Sequence, residues 1–290
     1  MPLRTSILGT IISIIIGILI TLGVSQNSID FYGVPLIAVC FLYSYIIHWI
    51  FFIHGYLFQT EHYFDAIGSF TFVSLSFFLI FTVQDFYAFL ICSLVAIWSL
   101  RLGSFLFNRV KKTGRDTRFT EMKKNFFWFF LTWNLSALWV YLSYVAGMVA
   151  VTSKHSSELT ITEYIFCFFG FLVWLAGFII EVVSDNQKKK FKEDISNKDK
   201  FISHGLWAWS RHPNYFGEIL LWIGITIIAI PIFKNWDYLA LISPIFIYYL
   251  LVNVSGIPML ERAADQKWGN NEDYISYKNK TNILFLKKPD

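Results

Sequence analysis

Eight long apolar runs, separated by short polar breaks, occupy most of this chain between residues 6 and 259. A bilayer crossing takes about 20 apolar residues of helix, and backbone that enters hydrocarbon must satisfy its own N–H and C=O groups. These runs therefore predict membrane-spanning helices, placed near 6–24, 31–58, 64–84, 86–107, 126–150, 162–184, 214–233 and 237–259. Only 15% of the 290 residues are charged and 56% are hydrophobic, against roughly a quarter charged in a soluble domain. Residues 1–290 then read as a single membrane domain, an all-α multi-pass integral membrane helical bundle. The first run is long for a signal peptide, and Ser25-Gln26-Asn27-Ser28 offers no small-x-small cleavage site, so it reads as a retained anchor. Segment 31–58 exceeds one span and carries Pro35, His48 and His54, which predicts tilt, a kink or a break.

Charge placement sets the expected orientation. Segments 109–124, 185–213 and 260–290 hold seven, seven and six Lys/Arg, and with Arg4 they account for 21 of the 24. Eight spans put all of them on one side, and the positive-inside rule makes that side the cytoplasm, with both termini there. The polar segments are expected to pack over a cytoplasmic mouth where a pocket opens. A net charge of +4 is too mild to indicate nucleic acid. Cys40, Cys92 and Cys167 sit in apolar runs without CxxC, and His48, His54, His62, His155 and His204 lack metal spacing, so no metal site is expected. No P-loop, GxSxG, HExxH or GxGxxG unit occurs, and a cofactor would have to be held by the helices themselves.

Three clusters carry candidate chemistry. In Ser210-Arg211-His212-Pro213-Asn214-Tyr215-Phe216-Gly217-Glu218, Pro213 suits the first turn of a new helix. Arg211 and His212 then stand at a helix N terminus, an anion site in outline, and Asn214 and Glu218 share a face. An interfacial aromatic and basic belt would use the same residues without chemistry. Before the run Lys188-Lys189-Lys190, with Lys192 beyond it, Glu181, Ser184 and Asp185 lie on one helical face, where acids are costly unless they meet donors. A solvated helix end is the plainer reading of Asp185, and a membrane-surface belt that of the lysines. Arg101 lies inside the fourth run and shares a stripe with Ser104 and Asn108, followed by Arg109. An intramembrane cation is a site candidate or a helix-holding ion pair.

Ser210–Glu218, preceded by Gly205-Leu206-Trp207 and followed by Trp222, resembles the signature of the steroid 5-alpha-reductase-like DUF1295 proteins. The resemblance extends to Glu181…Ser184-Asp185, Asn108-Arg109, Ser255-Gly256-Ile257-Pro258…Glu261 and Tyr274-x-x-Tyr277. It covers about 60–290, with residues 1–60 as less similar N-terminal spans. It implies a multi-helix fold with an NADPH pocket open to the cytoplasm and reduction of a carbon–carbon double bond conjugated to a ketone in a hydrophobic steroid-like, prenyl or fatty substrate. Cofactor-binding residues would be drawn from Arg101, Asn108, Arg109, Asp185, Lys192, Arg211, His212, Asn214, Tyr215, Glu218, Glu261, Arg262, Tyr274 and Tyr277. Steroid reductases polarise the ketone with a Glu and a Tyr. Asp65 is the nearest counterpart of the Glu, while Ile97 and Trp98 occupy the neighbourhood of the Tyr. Asp65 and Glu181 are thus the candidate catalytic acids, and a carboxyl that donates a hydrogen bond near neutral pH has to be buried. The Arg-His-Pro-x-Tyr core and Tyr-x-x-Tyr also resemble isoprenylcysteine carboxyl methyltransferases, which bind S-adenosylmethionine. A non-catalytic lipid-binding protein is the third reading. Lys287-Lys288-Pro289-Asp290 has the form of an endoplasmic-reticulum retrieval signal, whereas an Ile-, Lys-, Asn- and Phe-rich composition suits an AT-rich bacterial genome and its inner membrane.

Overall fold

The computed structural model describes residues 2–113, 119–155 and 158–289, apart from the side chains of residues 109, 110, 112 and 113. Among them, eight helices are long and apolar enough to cross a membrane, and the fold is an all-α multi-pass membrane protein. The chain falls into two compact units, one of Met1–Tyr164 with Ala229–Ser243 and one of Ile165–Ile228 with Pro244–Asp290.

The first unit contains α1 (Leu3–Val24), α2 (Leu36–Leu57), α3 (Phe64–Val83), α4 (Phe86–Thr113) and α5 (Phe126–Thr152). α5 is its spine, with 20 of its 27 residues buried. α1 is built the other way round, burying Ser6, Ser13, Gly17, Thr21 and Val24 while its Leu and Ile side chains point outward. Lipid is as apolar as leucine, so in a bilayer small and polar residues make the better helix contacts. Accordingly Thr21 Oγ1 and Tyr141 OH lie 2.7 Å apart, and Tyr45 OH donates to the Ser13 carbonyl at 3.1 Å. Cys40, Cys92 and Cys167 are free and buried. The irregularity expected in 31–58 falls at its start, where Asp30–Phe31 pairs with Val34–Pro35 in a two-stranded hairpin. Tyr32 and Gly33 both take positive φ in its turn. α2 follows without interruption because Pro35 stands before its first turn, where a missing N–H is harmless.

At one end of this unit Phe52, Ile67, Phe119, Phe129 and Trp133 form an aromatic-rich cluster that holds the segment before α5 against α2 and α3. Beside it Lys123 Nζ pairs with buried Glu61 at 2.6 Å. Nothing in the sequence singled out Glu61. Asp65, in the first turn of α3, is half-buried.

The second unit is organised by α6 (Ile161–Glu193) and α7 (Pro213–Ala229). α6 runs well past the apolar segment expected at 162–184, so the lysine run is helical. The two helices cross on glycines spaced seven apart. A Cβ on Gly177 would meet the Leu221 nitrogen at 2.5 Å and the Gly217 oxygen at 2.6 Å. One on Gly224 would meet the Trp174 nitrogen at 2.5 Å and the Gly170 oxygen at 2.7 Å. Only hydrogen in place of a side chain lets two backbones approach so closely. The remaining elements are α8 (Ile242–Tyr249), one π turn over Leu250–Val254, α9 (Ile257–Trp268) and α10 (Glu272–Lys280). The break before α9 falls at Ser255-Gly256, followed by Pro258 in its first turn, as the sequence suggested.

Candidate functional site

The glycine crossing places the buried acids of the second unit. Glu181 follows Gly177 by one turn, and its amide nitrogen lies 2.7 Å from where a Gly217 Cβ would stand. Glu181, Asp185 and Glu218 are 2%, 5% and 9% exposed, so three carboxylates are withdrawn from water along one helix pair. Ser184 turns its hydroxyl back to the Ile180 carbonyl at 2.6 Å, and its own carbonyl accepts from Trp207 Nε1 at 3.0 Å. The turn Gly205–Ala208 is clamped to α6. Leu206 N donates to Gln187 Oε1 at 3.0 Å, Lys188 Nζ stands 4.3 Å over the Trp207 ring, and Gly205 takes φ +64 against the Gln187 side chain.

Just before α7 a polar knot joins three stretches distant in sequence. Arg211 donates from Nη2 to Glu261 Oε2 at 3.0 Å and from Nε to Oε1 at 3.3 Å. Its Nη1 donates to the carbonyls of Lys278 at 2.6 Å and Thr281 at 3.3 Å. Its guanidinium is thus spent on holding α9 and α10, a bidentate use that lysine could not reproduce. His212 Nε2 lies 2.8 Å from Glu261 Oε1. A carboxylate accepts only, so the proton belongs on Nε2 and Nδ1 is left as an acceptor. Burial pulls the His212 pKa below the ordinary imidazole value, against the opposing influence of Glu261, which keeps the ring neutral. Tyr215 stacks on it, centroids 5.8 Å apart and 10° from parallel. Two buried acceptors here, His212 Nδ1 and Asn214 Oδ1, have no hydrogen-bond partner among the described residues.

Tyr277 OH donates to the Trp207 carbonyl at 2.6 Å, and Tyr274 OH to Asp265 Oδ1 at 3.1 Å. Both rings pack on Phe201. The structure therefore gathers Arg211, His212, Glu261, Tyr274 and Tyr277 into one network, with Asp185, Asn214, Tyr215, Glu218 and Glu181 on or beside the α6–α7 hairpin. Arg262 is exposed and turns to its own helix, donating to the Pro258 carbonyl at 3.2 Å. Lys192 is exposed near the end of α6. Arg101, Asn108 and Asp65 belong to the first unit, where Arg101 reaches over the Phe105 ring at 5.5 Å. The Arg109 side chain lies outside the described residues. The sequence reading missed the glycine pairs, although a repeat of Gly170/Gly177 and Gly217/Gly224 was there to be noticed.

A family profile described as "Protein of unknown function (DUF1295)" matches residues 51–281. Among curated proteins, the probable O-methyltransferase ustE of Ustilaginoidea virens is 29% identical over 101 residues, 32% of this chain and 35% of that protein. The chain thus spans about a third of the length of the curated relative it matches. No solved structure matches.

Proposed function

The chain belongs to the DUF1295 family, and on that premise we propose that it is a membrane-embedded NADPH-dependent reductase of a carbon–carbon double bond conjugated to a ketone in a hydrophobic steroid-like, prenyl or fatty substrate. The observation that carries this reading is the order of groups along α6. On one face of the helix, buried Glu181, Ser184 and Asp185 give way within two turns to Lys188 and Lys192. Acceptors followed by cations suit a ligand that carries ribose hydroxyls and phosphates.

The two orphaned acceptors bear on the fit. A buried polar atom without a partner costs about 1–3 kcal/mol, and His212 Nδ1 and Asn214 Oδ1 both call for donors such as sugar hydroxyls or a carboxamide N–H. NADPH offers these, and when bound it supplies hydride. The chain's part is to hold it. Asp185 and Glu218 accept from its hydroxyls, Lys188 and Lys192 balance its phosphates, and Arg211 fixes Glu261 so that His212 keeps its Nε2 proton and presents Nδ1. Asp65, by its resemblance to the reductase Glu, is the proposed donor to the substrate oxygen.

A second reading, S-adenosylmethionine-dependent methyl transfer, is favoured by the name of the fungal relative. Its cofactor also has ribose hydroxyls, but it carries a sulfonium cation and no phosphates, which the lysine-rich end of α6 suits less well. Titration of the purified detergent-solubilised protein with NADPH and, separately, S-adenosylmethionine, followed by thermal stability, decides between them. Saturable stabilisation by NADPH alone supports the reductase, and stabilisation by S-adenosylmethionine alone replaces it with a methyltransferase.

A further inference from the structure

Between α6 and the segment that precedes α7, an open groove of about 560 Å³ is lined by Ile179, Ile180, Val183 and Gln187 of α6 and by Leu206 and Trp209. Its apolar lining is exposed in the folded chain, with Ile179 at 51% and Val183 and Trp209 each at 38%. Singly exposed apolar residues are ordinary, but these share a concave surface whose character changes along its length. On a helix advancing 100° per residue, Ile179, Val183, Asn186, Gln187 and Lys190 follow one stripe. The stripe therefore runs from aliphatic through amide to cation in little more than three turns.

The opposite wall also carries cations. The Trp209 carbonyl accepts from the Lys287 backbone N–H at 3.0 Å, which brings the exposed Lys287-Lys288 pair beside Trp209. Tryptophan itself favours the level of lipid headgroups. Lys188 is drawn away to the Trp207 ring, so among the α6 lysines Lys190 is the one centred on the stripe. Glu193, the next acid on it, comes a turn later as the last residue of the helix.

We propose that this groove is a binding site for one anionic phospholipid of the surrounding bilayer. An acyl chain lies against Ile179, Ile180 and Val183, the ester region against Gln187 and Trp209, and the phosphate against Lys190 with Lys287 at the rim. Apolar depth retains lipid of any headgroup, and the cations select a negative one. The site is distinct from the buried acids of the α6–α7 crossing and does not depend on what those acids bind.

Native mass spectrometry of the delipidated full chain, after addition of phosphatidylglycerol or phosphatidylcholine, tests the assignment. One phosphatidylglycerol should be retained in preference to phosphatidylcholine. Lys190→Gln should lose about fivefold in its retention, the effect of one lysine near an anionic headgroup, and Lys190→Arg should keep it. Ala208→Phe, which fills the groove, should reduce retention of both lipids. Lys189→Gln, about 100° around the helix from Lys190, should behave as the parent. Equal retention of the two lipids, or a Lys190→Gln variant that still selects phosphatidylglycerol as the parent does, overturns the proposal, even if Ala208→Phe does not fold.

Discussion

Replacing Gly177 with alanine adds one methyl group at the point where α6 and α7 have least room. That Cβ would lie 2.5 Å from the Leu221 nitrogen and 2.6 Å from the Gly217 oxygen, both of them backbone atoms that no rotamer change can move. An ordinary contact begins at 3.4 Å, so the helices must part by about 0.8 Å, a gap that forfeits a quarter to a half of the dispersion energy at each affected pair. Overpacking of this kind costs about 1–3 kcal/mol, offset by roughly 1 kcal/mol from alanine's better helix propensity. The net loss of stability should be about 0–2 kcal/mol. The consequence for the site should be larger, because Glu181 and Glu218 ride on the two helices being separated, and a misplacement near 1 Å can cost roughly hundredfold in a site's performance. Thermal unfolding in detergent should therefore show a modest fall in Tm, and titration with NADPH a loss of affinity well beyond it. Gly9→Ala is the control. Its Cβ would meet only the Leu131 side chain, at 3.1 Å, and those methyls can rotate, so Tm should hold or rise slightly. A Gly177→Ala protein with the parent's Tm and the parent's affinity would refute the argument that this crossing sets the geometry of the acids.

Other outcomes follow from the same geometry. Glu218→Gln should fold but bind NADPH about ten- to a hundredfold more weakly, since neighbouring donors lose a charged acceptor at about 1–3 kcal/mol; unchanged affinity would make Glu218 structural. With a working substrate, Asp65→Leu should abolish turnover, Asp65→Asn should retain a measurable part because its amide can still donate, and NADPH affinity should change little in both. His155 Nε2 lies 3.0 Å from Asp85 Oδ2, and hydrogen bonding to that carboxylate raises the imidazole pKa above 6.5. The pair's stabilisation is thus fully present below pH 6.5 and lost as pH rises through the raised folded-state value; the Tm gap between parent and His155→Gln should close over that interval, and a pH-independent gap would exclude the pair as its source. Cysteines introduced at Lys123, Lys198 and Lys280 should all label from the cytoplasmic side, and labelling of any one from the opposite side would break the eight-span topology.

The positions of the spans were legible in the sequence because the constraint that sets them is local. A bilayer demands a length of apolar helix, and α3 and α4 begin at the residues where the polar breaks at 59–63 and 84–85 end. Pro213 likewise announced the start of α7, and Gly256 with Pro258 the break before α9, since glycine and proline act through their own backbone. The chemistry was legible as residue types, because an acid or an arginine beside apolar helix is conspicuous wherever it occurs. Their partners were not. Arg211 finds Glu261, Lys278 and Thr281 at separations of 50, 67 and 70 residues, and Glu61 finds Lys123 across 62. The seven-residue glycine repeats became meaningful only once Gly177 lay against Gly217 and Gly170 against Gly224. An apolar run records that a helix prefers lipid to water, and every aliphatic face satisfies that preference equally. Which face turns inward is decided by close approach and hydrogen bonding between helices, and those belong to pairs of segments that meet only in the folded chain.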